Sequence, residues 1–376
     1  MHKIAYQYRL YPTSKQEKLM LKTLNECRWL YNHFLEERKV AWEDYEQSLT
    51  LYSQIKNLPS LKNDRPSLST VHSQVLQNVA VRLDLAFKAF FRRVKAGEKP
   101  GYPRFRGANW YDSFTYPQYP SGGFSVSTDS ITLSKIGNIK TIIHHPIEGI
   151  IKTCTIRRTS TGKWFTTFSC EVPDNPLLES NAEVGIDVGI ASFATLSNGE
   201  TIPNPRFFRT DEKALAKAQR RMSKEAKGTP KRDKRRKVVA HIHERIANRR
   251  NDFAHQQSRK IVNRYGLIAV EDIRSNRMVH NHCLAKSISD VAWGQFFNYL
   301  SYKAESAGRK FVKVNPAYTS QDCSTCGHRQ KMPLDVRVFK CPCCNLELDR
   351  DHNASLNILR LGRQSLGIQS VETIRH

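Results

Sequence analysis

The sequence predicts a multidomain α/β protein, and three observations lead there. Residues 183–314 run strand hairpin, helices, strand, helix, strand, which is the order of an α/β domain. Ahead of them, a helical stretch and then a series of short strands describe separate units. Near the C-terminus a cysteine module interrupts the α/β pattern just before a closing helix. A length of 376 residues accommodates two or three domains.

Residues 4–10, IAYQYRL, alternate apolar and polar as a half-buried strand does. YPTSKQEKL ends that strand and starts a helix, with Ser14 and Glu17 as a capping box. Leu19, Leu24, Trp29, Leu30, Phe34 and Leu35 then recur at helical spacing to about residue 46. LPSLKNDRPS reads as a loop, and residues 69–95 as a second helix. The character changes at AGEKPGYPRFRG. Residues 114–173 are short strands rich in aromatic and β-branched residues, a small β-barrel or sandwich. Pairing of the opening strand with them makes the helical stretch an insertion. Residues 183–202 read as a hairpin with Asn198-Gly199 as its turn. A helical stretch from about Asp211 to Tyr265 is interrupted at KGTPKRDKRR. GLIAVEDI is a continuous apolar run suited to a parallel strand buried on both faces. Residues 289–307 form a helix with Ser289 as cap and Gly308 as stop, KFVKV another strand, and DHNASLNILRLG the closing helix.

The formal net charge is +25. No apolar run approaches the roughly 18 residues of a membrane span, and the N-terminus MHKIAYQYRLYP lacks the apolar core of a signal peptide. Nucleic acid is therefore the partner such a charge attracts. Residues 206–250 hold 17 Lys or Arg against 5 Asp or Glu. The densest run contains Lys231, Arg232, Arg235 and Arg236, a phosphate-tracking surface that gives affinity without sequence reading. Arg104 and Arg106, with Tyr102 and Phe105, make a basic–aromatic segment suited to single-stranded or bent RNA. His241 and His243, two apart on a helix, do not share a face and make no metal pair.

Five of nine cysteines fall in residues 323–344, while Cys27, Cys154, Cys170 and Cys283 are scattered, a pattern of one metal site plus ordinary thiols. Cys323 with Cys326 and Cys341 with Cys344 form two CxxC knuckles, the ligand set of a tetrahedral zinc ion. Gly327 suits the knuckle turn. Cys343 is an alternative to Cys344, but a pair two residues apart fits a knuckle less well. Four thiolates leave no open coordination position, so this zinc is structural.

Three carboxylates stand at element ends. Asp187 in EVGIDVGIASF opposes the apolar face of Val184, Ile186 and Val188, and its neighbours Gly185 and Gly189 leave room for a phosphate backbone. Glu271 ends a buried apolar strand, where an acid is costly unless paired or metal-bound. Asp351 sits at or just before the first turn of a helix. Singly they read as a turn former, a strand-end acid and an N-cap. Together, in so basic a chain, they suggest hard divalent cations, and two such ions can activate a water and stabilise the leaving oxygen in phosphodiester cleavage.

GIDVG, AVEDI with Met278 beyond it, SISDVAWGQF, SQDCSTCG and CPCCNLELDRDHNAS resemble the RuvC-like nuclease and zinc-ribbon motifs of TnpB, the insertion-sequence-encoded RNA-guided nucleases related to type V CRISPR effectors. YRLYP, RWLYNHFLEER and GYPRFRG resemble the family's N-terminal motifs, so the resemblance spans about residues 6–361. It implies an RNase H-like (RuvC) nuclease domain, residues 181–318 and 349–365, with an inserted zinc ribbon, 319–348. It further implies a wedge-type β-barrel, 1–12 and 98–180, an inserted helical recognition domain, 13–97, and a tail, 366–376. Asp187, Glu271 and Asp351 become a Mg-binding catalytic triad. The partners implied are a guide RNA from the transposon end and double-stranded target DNA, bound by a monomer in the prokaryotic cytoplasm, at the nucleoid. Ser73 and Gln77 match helix positions facing the duplex that carries a short adjacent motif. The short tail departs from longer relatives. Retention of all three acids argues against a nuclease-inactive repressor. A strand-joining transposase and an actin-like ATPase, the latter because IDVGIASFATL also resembles a phosphate-binding hairpin, are the other classes.

Overall fold

The opening strand, β1 (His2–Tyr11), pairs with the later β-rich segment, as the alternation of IAYQYRL suggests. Strands β2 (Ser113–Tyr116), β3 (Phe124–Val126), β4 (Ser130–Leu133), β5 (Gly137–Thr141), β6 (Ile150–Arg158) and β7 (Trp164–Val172) join it in an antiparallel sheet ordered β2-β6-β7-β1-β5-β4-β3. The register with β7 runs from His2↔Val172 to Leu10↔Trp164. The sheet curls like a barrel: the Tyr116 ring of β2 lies 6.1 Å from Phe124 of β3, and its hydroxyl donates to the Ser134 carbonyl. The computed structural model describes residues 1–108, 110–174, 176–273, 285–333 and 335–367. It divides into two compact units, 1–173 and 174–376. Met278, Cys283 and the last nine residues of the tail lie outside the described residues.

Between β1 and β2 the chain inserts helices α1 (Ser14–Tyr45), α2 (Leu51–Lys56), α3 (Leu58–Asp64) and α4 (Ser73–Lys95). The cap of α1 is Thr13, not Ser14. Its hydroxyl accepts from Gln16 N, and Gln16 Oε1 accepts from Thr13 N, so the box sits one residue earlier than the Ser14/Glu17 reading. The expected loop LPSLKNDRPS is instead α3 and a 3-10 turn (Pro66–Thr70), because Leu58, Leu61 and Leu68 are buried. Pro59 sits in the first turn, where a missing N–H breaks no helical bond. That 3-10 turn also delays the start of α4 to Ser73. GYPRFRG forms no regular element.

The second unit holds a mixed sheet ordered β10-β9-β8-β11-β12, from β8 (Glu183–Val188), β9 (Ser192–Leu196), β10 (Thr201–Pro203), β11 (Leu267–Glu271) and β12 (Lys310–Val314). β8, β11 and β12 are parallel. Residues 183–202 make two hairpins rather than one: Asn198-Gly199 turns β9 into β10, and β8 turns into β9 before it. Helices α5 (Phe207–Ser223) and α6 (Pro230–Arg264) follow. The single helix expected from a Ser289 cap is two, α7 (Ala285–Val291) and α8 (Trp293–Ser306), broken at Ala292 with φ 55°. Ser289 lies inside α7. The break leaves Asp290 to accept from Phe208 N and Arg250, and sends Trp293 into the core. The last helix is α9 (Arg350–Ser365). Among the described residues no helix is long and apolar enough to cross a membrane.

Two cores sandwich this sheet. Val184, Ile186, Val188, Ile268 and Val270 pack with α6 and α8 through Ile261, Val262, Phe296 and Leu300. Ala269 and Val314 pack on the other face with Ile358 of α9. Gly185 is there for the helix, not for a phosphate as its position beside Asp187 suggested. A Cβ on it would stand 2.1 Å from the Ser355 carbonyl oxygen, and one on Gly362 2.5 Å from the Ala269 methyl. Gly185→Ala is therefore expected to destabilise this unit by about 1–3 kcal/mol, whereas Gly101→Ala, in open space, changes little; denaturant unfolding of both variants measures the contrast.

Candidate active site

Strand parity places the acids. Gly185 and Ala269 face α9, so Asp187 and Glu271, two residues further along each strand, share that face. The parallel register Ile186↔Val270 sets the two carboxylates side by side at adjacent carboxyl ends of β8 and β11. Asp351 lies in the first turn of α9, which crosses over the small residues beneath it. Its cap is Asp349, whose Oδ1 accepts from Asp351 N at 2.9 Å and His352 N at 3.1 Å. Asp351 is thus not the N-cap and keeps its carboxylate for other work. Glu271 is buried and accepts from the Thr319 hydroxyl at 2.5 Å.

The electrostatics show a site short of positive charge. Burial first, then the charges of Glu271 and Asp351, hold the Asp187 carboxyl well above the usual carboxylate range, against Arg350. Burial raises Glu271, opposed by the Thr319 hydroxyl. Burial and then Asp349 raise Asp351, opposed by Arg337 and Arg350. Glu271 and Asp351 both repel the desolvated Asp187 carboxylate, and three hard oxygen donors so placed suit divalent cations; among the described residues only the four cysteines already stand close enough together to share one ion. Without cations the folded protein binds these protons more tightly than the unfolded chain. The resulting stabilisation is complete below about pH 4 and is lost as pH rises through the raised values. The metal-free protein is therefore expected to lose melting temperature across that window, and Mg²⁺ to restore it at neutral pH; thermal melts over a pH series, with and without Mg²⁺, read both effects.

The cysteine module is a hairpin of β13 (Val338–Lys340) and β14 (Glu347–Asp349) carrying two knuckles. The sulfurs of Cys323, Cys326, Cys341 and Cys344 all lie within 4.8 Å of one another, with Cys323–Cys344 at 3.6 Å and Cys326–Cys341 at 3.5 Å. Zinc bound tetrahedrally by thiolates sets its sulfurs about 3.8 Å apart, so the cluster is compatible with zinc. The knuckles repeat one geometry: Gly327 (φ 75°) donates N–H to the Cys323 carbonyl, and Asn345 (φ 58°) to that of Cys341. The repeat selects Cys344 over Cys343, whose sulfur is not among the four that cluster. Burial raises the Cys341 thiol, but the N–H groups of Cys344 and Cys343, with the Cys326 and Cys344 thiols, outweigh it and lower it below its ordinary value.

The sequence-named nucleic-acid residues lie apart from the acids along the chain. Ser73 and Gln77 are exposed one turn apart on α4, with Lys62 donating to the Ser73 hydroxyl at 3.0 Å. Tyr102 packs edge-on against Phe87 and Phe90, and Arg106 is held by Asn32 through its own N–H and carbonyl. Arg104 is exposed. Arg232 donates to the carbonyls of Met222 and Glu225 and so closes the end of α5. Lys231 and Arg235 flank Glu225, and Arg236 pairs with Asp233. Three further residues beside the site, Thr319, Asn353 and Asn357, have no motif that marks them. The last two are buried amides four apart in DHNASLNIL, and that spacing on an otherwise apolar helix face was their available signal.

A family model described as "Probable transposase" matches residues 167–282, one for a "Cas12f1-like, TNB domain" residues 293–358, and one for a "Helix-turn-helix domain" residues 1–47. A Streptomyces pristinaespiralis protein named "Putative RNA-guided DNA endonuclease" is 36% identical over 367 residues, 96% of this chain and 89% of its own. The chain belongs to the TnpB family. A second relative, "Putative RNA-guided DNA endonuclease InsQ" of Escherichia coli K12, is 29% identical over 96% of this chain and 93% of its own. The solved "Cryo-EM structure of the Cas12f1-sgRNA-target DNA complex" matches with a TM-score of 0.58 at 16% identity, covering 92% of this chain and 83% of that one, a likeness of fold. The residues that match the helix-turn-helix model, 1–47, are in this TnpB protein one strand and one 32-residue helix.

Proposed function

We propose that this TnpB protein is an RNA-guided DNA endonuclease of transposon origin that cuts at the cleft formed by Asp187, Glu271 and Asp351. The observation that carries this reading is the delivery of three acids, from β8, β11 and α9, to one face of the sheet in a chain of net charge +25. In this reading the second unit is an RNase H-like (RuvC) domain with the zinc ribbon inserted before α9. The three acids would hold divalent cations, two Mg²⁺ ions in this reading, and such cations would supply the charge that activates a water and stabilises the leaving oxygen. The strand ends fix Asp187 and Glu271, and α9 brings Asp351 to them. The four knuckle cysteines hold structural zinc.

The basic face of α5 and α6 grips phosphates of a guide–target heteroduplex by shape and charge. Ser73 and Gln77 face the duplex beside the target, and the Tyr102–Arg106 segment holds guide RNA. The guide comes from the transposon end, and the protein acts as a monomer in the cytoplasm. Changing Lys231, Arg235 and Arg236 to Gln is expected to weaken RNA binding and flatten its salt dependence by up to about two to three log–log units; binding measured across a salt series reads the slope. The reading as a whole is tested by sequencing the RNA that co-purifies with the protein and challenging the complex with a library of matching targets. Absence of a defined RNA species, or joining of transposon ends by RNA-free protein, would count against it.

A further inference from the structure

We infer that Thr319 is a positioning residue for Glu271, held in place by Asn353 and Asn357 of α9; the inference rests on the acid-cluster reading above. The Thr319 hydroxyl has one proton to give. It stands 2.5 Å from Glu271 Oε1 and 3.2 Å from the Pro316 carbonyl, and the shorter contact, to the carboxylate, takes it. With one lone pair of Oε1 so engaged, Oε2 is the oxygen left wholly open to a cation. Both residues are buried, Glu271 at 8% and Thr319 at 4% exposure, so water does not replace this bond.

The backbone that carries Thr319 is pinned by buried amides. Asn357 Nδ2 donates to the Thr319 carbonyl at 2.9 Å and to the Asp322 carbonyl at 2.7 Å. Asn353 Nδ2 donates to the same Asp322 carbonyl at 2.8 Å, and its Oδ1 accepts from Ser324 N at 2.9 Å. Buried amides are costly unless paired. Here both side-chain N–H groups and the Asn353 Oδ1 are spent on the six residues 319–324, which carry Thr319 at one end and Cys323 of the first knuckle near the other, while the buried Asn357 Oδ1 has no partner among the described residues. The helix that presents Asp351 therefore also fixes the group that orients Glu271. Two of the three acids take their geometry from one rigid assembly. Outer partners of a ligating carboxylate set its orientation and, through it, the affinity for the ion.

The test uses the full-length protein with its co-purified RNA and Mn²⁺ as the probe, with binding measured by calorimetry beside the Mn²⁺ dependence of cleavage. Thr319→Val keeps the shape and removes the hydroxyl. It is expected to weaken Mn²⁺ binding about tenfold or more and to raise the half-saturating Mn²⁺ concentration for cleavage in parallel, with most of the maximal rate recovered at saturation. Thr319→Ser restores the donor and is expected to stay within about twofold of wild type. Thr319→Ala carries the same test if the valine perturbs folding, with zinc content and melting temperature reporting that the assembly is intact. Wild-type Mn²⁺ affinity in the hydroxyl-free variants, or equal weakening in Thr319→Ser, overturns the inference. Wild-type Mn²⁺ affinity in Asp187→Asn overturns the acid-cluster reading instead, which separates the two failures.

Discussion

Asp187→Asn is expected to abolish DNA cleavage while making the metal-free protein more stable. The two effects share one cause. Burial and the charges of Glu271 and Asp351 hold the Asp187 carboxyl far above its ordinary range, so ionising it at neutral pH works against folding. The amide is nearly the same shape and carries no charge. It removes the penalty and, with it, a hard ligand for divalent cations. The melting temperature in a chelator at neutral pH is expected to rise by on the order of 2–4 °C, and the Mg²⁺-dependent stabilisation to fall sharply. Cleavage is expected to drop by about 10³-fold or more, with binding of RNA and target retained, since Asp187 touches neither phosphate-gripping surface in this account. A variant that is less stable without metal, or that cuts at the wild-type rate, contradicts this view of Asp187.

Loss of zinc is expected to be nearly as damaging. Phe339, with Cys323 and Cys341, is the buried centre of the module, too little apolar surface to hold the segment without a metal. The hairpin is also continuous with the site. β14 ends on Asp349, and Asp349 caps the helix turn that carries Asp351. Arg350 N donates to the Arg337 carbonyl, and the Arg350 guanidinium to that of Pro333, both within the module. Cys341→Ala, or stripping by a chelator selective for zinc, is therefore expected to cut cleavage by about 10²-fold or more, the scale set by an ångström of misplacement. Cys343→Ala, at a thiol outside the cluster, is expected to keep both zinc and activity. A zinc-free protein that stays folded and fully active would show that ribbon and triad are independent.

Much of this arrangement was legible in the sequence, and the misses have physical reasons. The face of β8 followed from a two-residue period and the strand β11 from a continuous apolar run, which is why Asp187 and Glu271 could be set at element ends before their register was known. The knuckles followed from cysteine spacing, and Asn345 in the left-handed region then distinguished Cys344 from Cys343. Gly185 was misread because the atom that excludes its side chain, the Ser355 carbonyl oxygen, is 170 residues away along the chain. The break at Ala292 has no mark in the sequence, since alanine does not favour positive φ. Thr13 and Ser14 are both able caps, and only the geometry of Gln16 decides between them. Thr319 carries no local signal: its role comes from the place where strand β11 ends in space.

The central claim, guided cutting of DNA at the acid cleft, is tested most directly by one cleavage assay. The protein, purified with its own RNA, is offered duplex DNA matching that RNA and duplex that does not, in Mg²⁺ and in chelator, beside its Asp187→Asn, Glu271→Gln and Asp351→Asn variants. The account predicts double-strand breaks in the matching duplex alone, in Mg²⁺ alone, and in none of the three variants. Cutting that ignores the match, or that survives in any one of the variants at the wild-type rate, would contradict it.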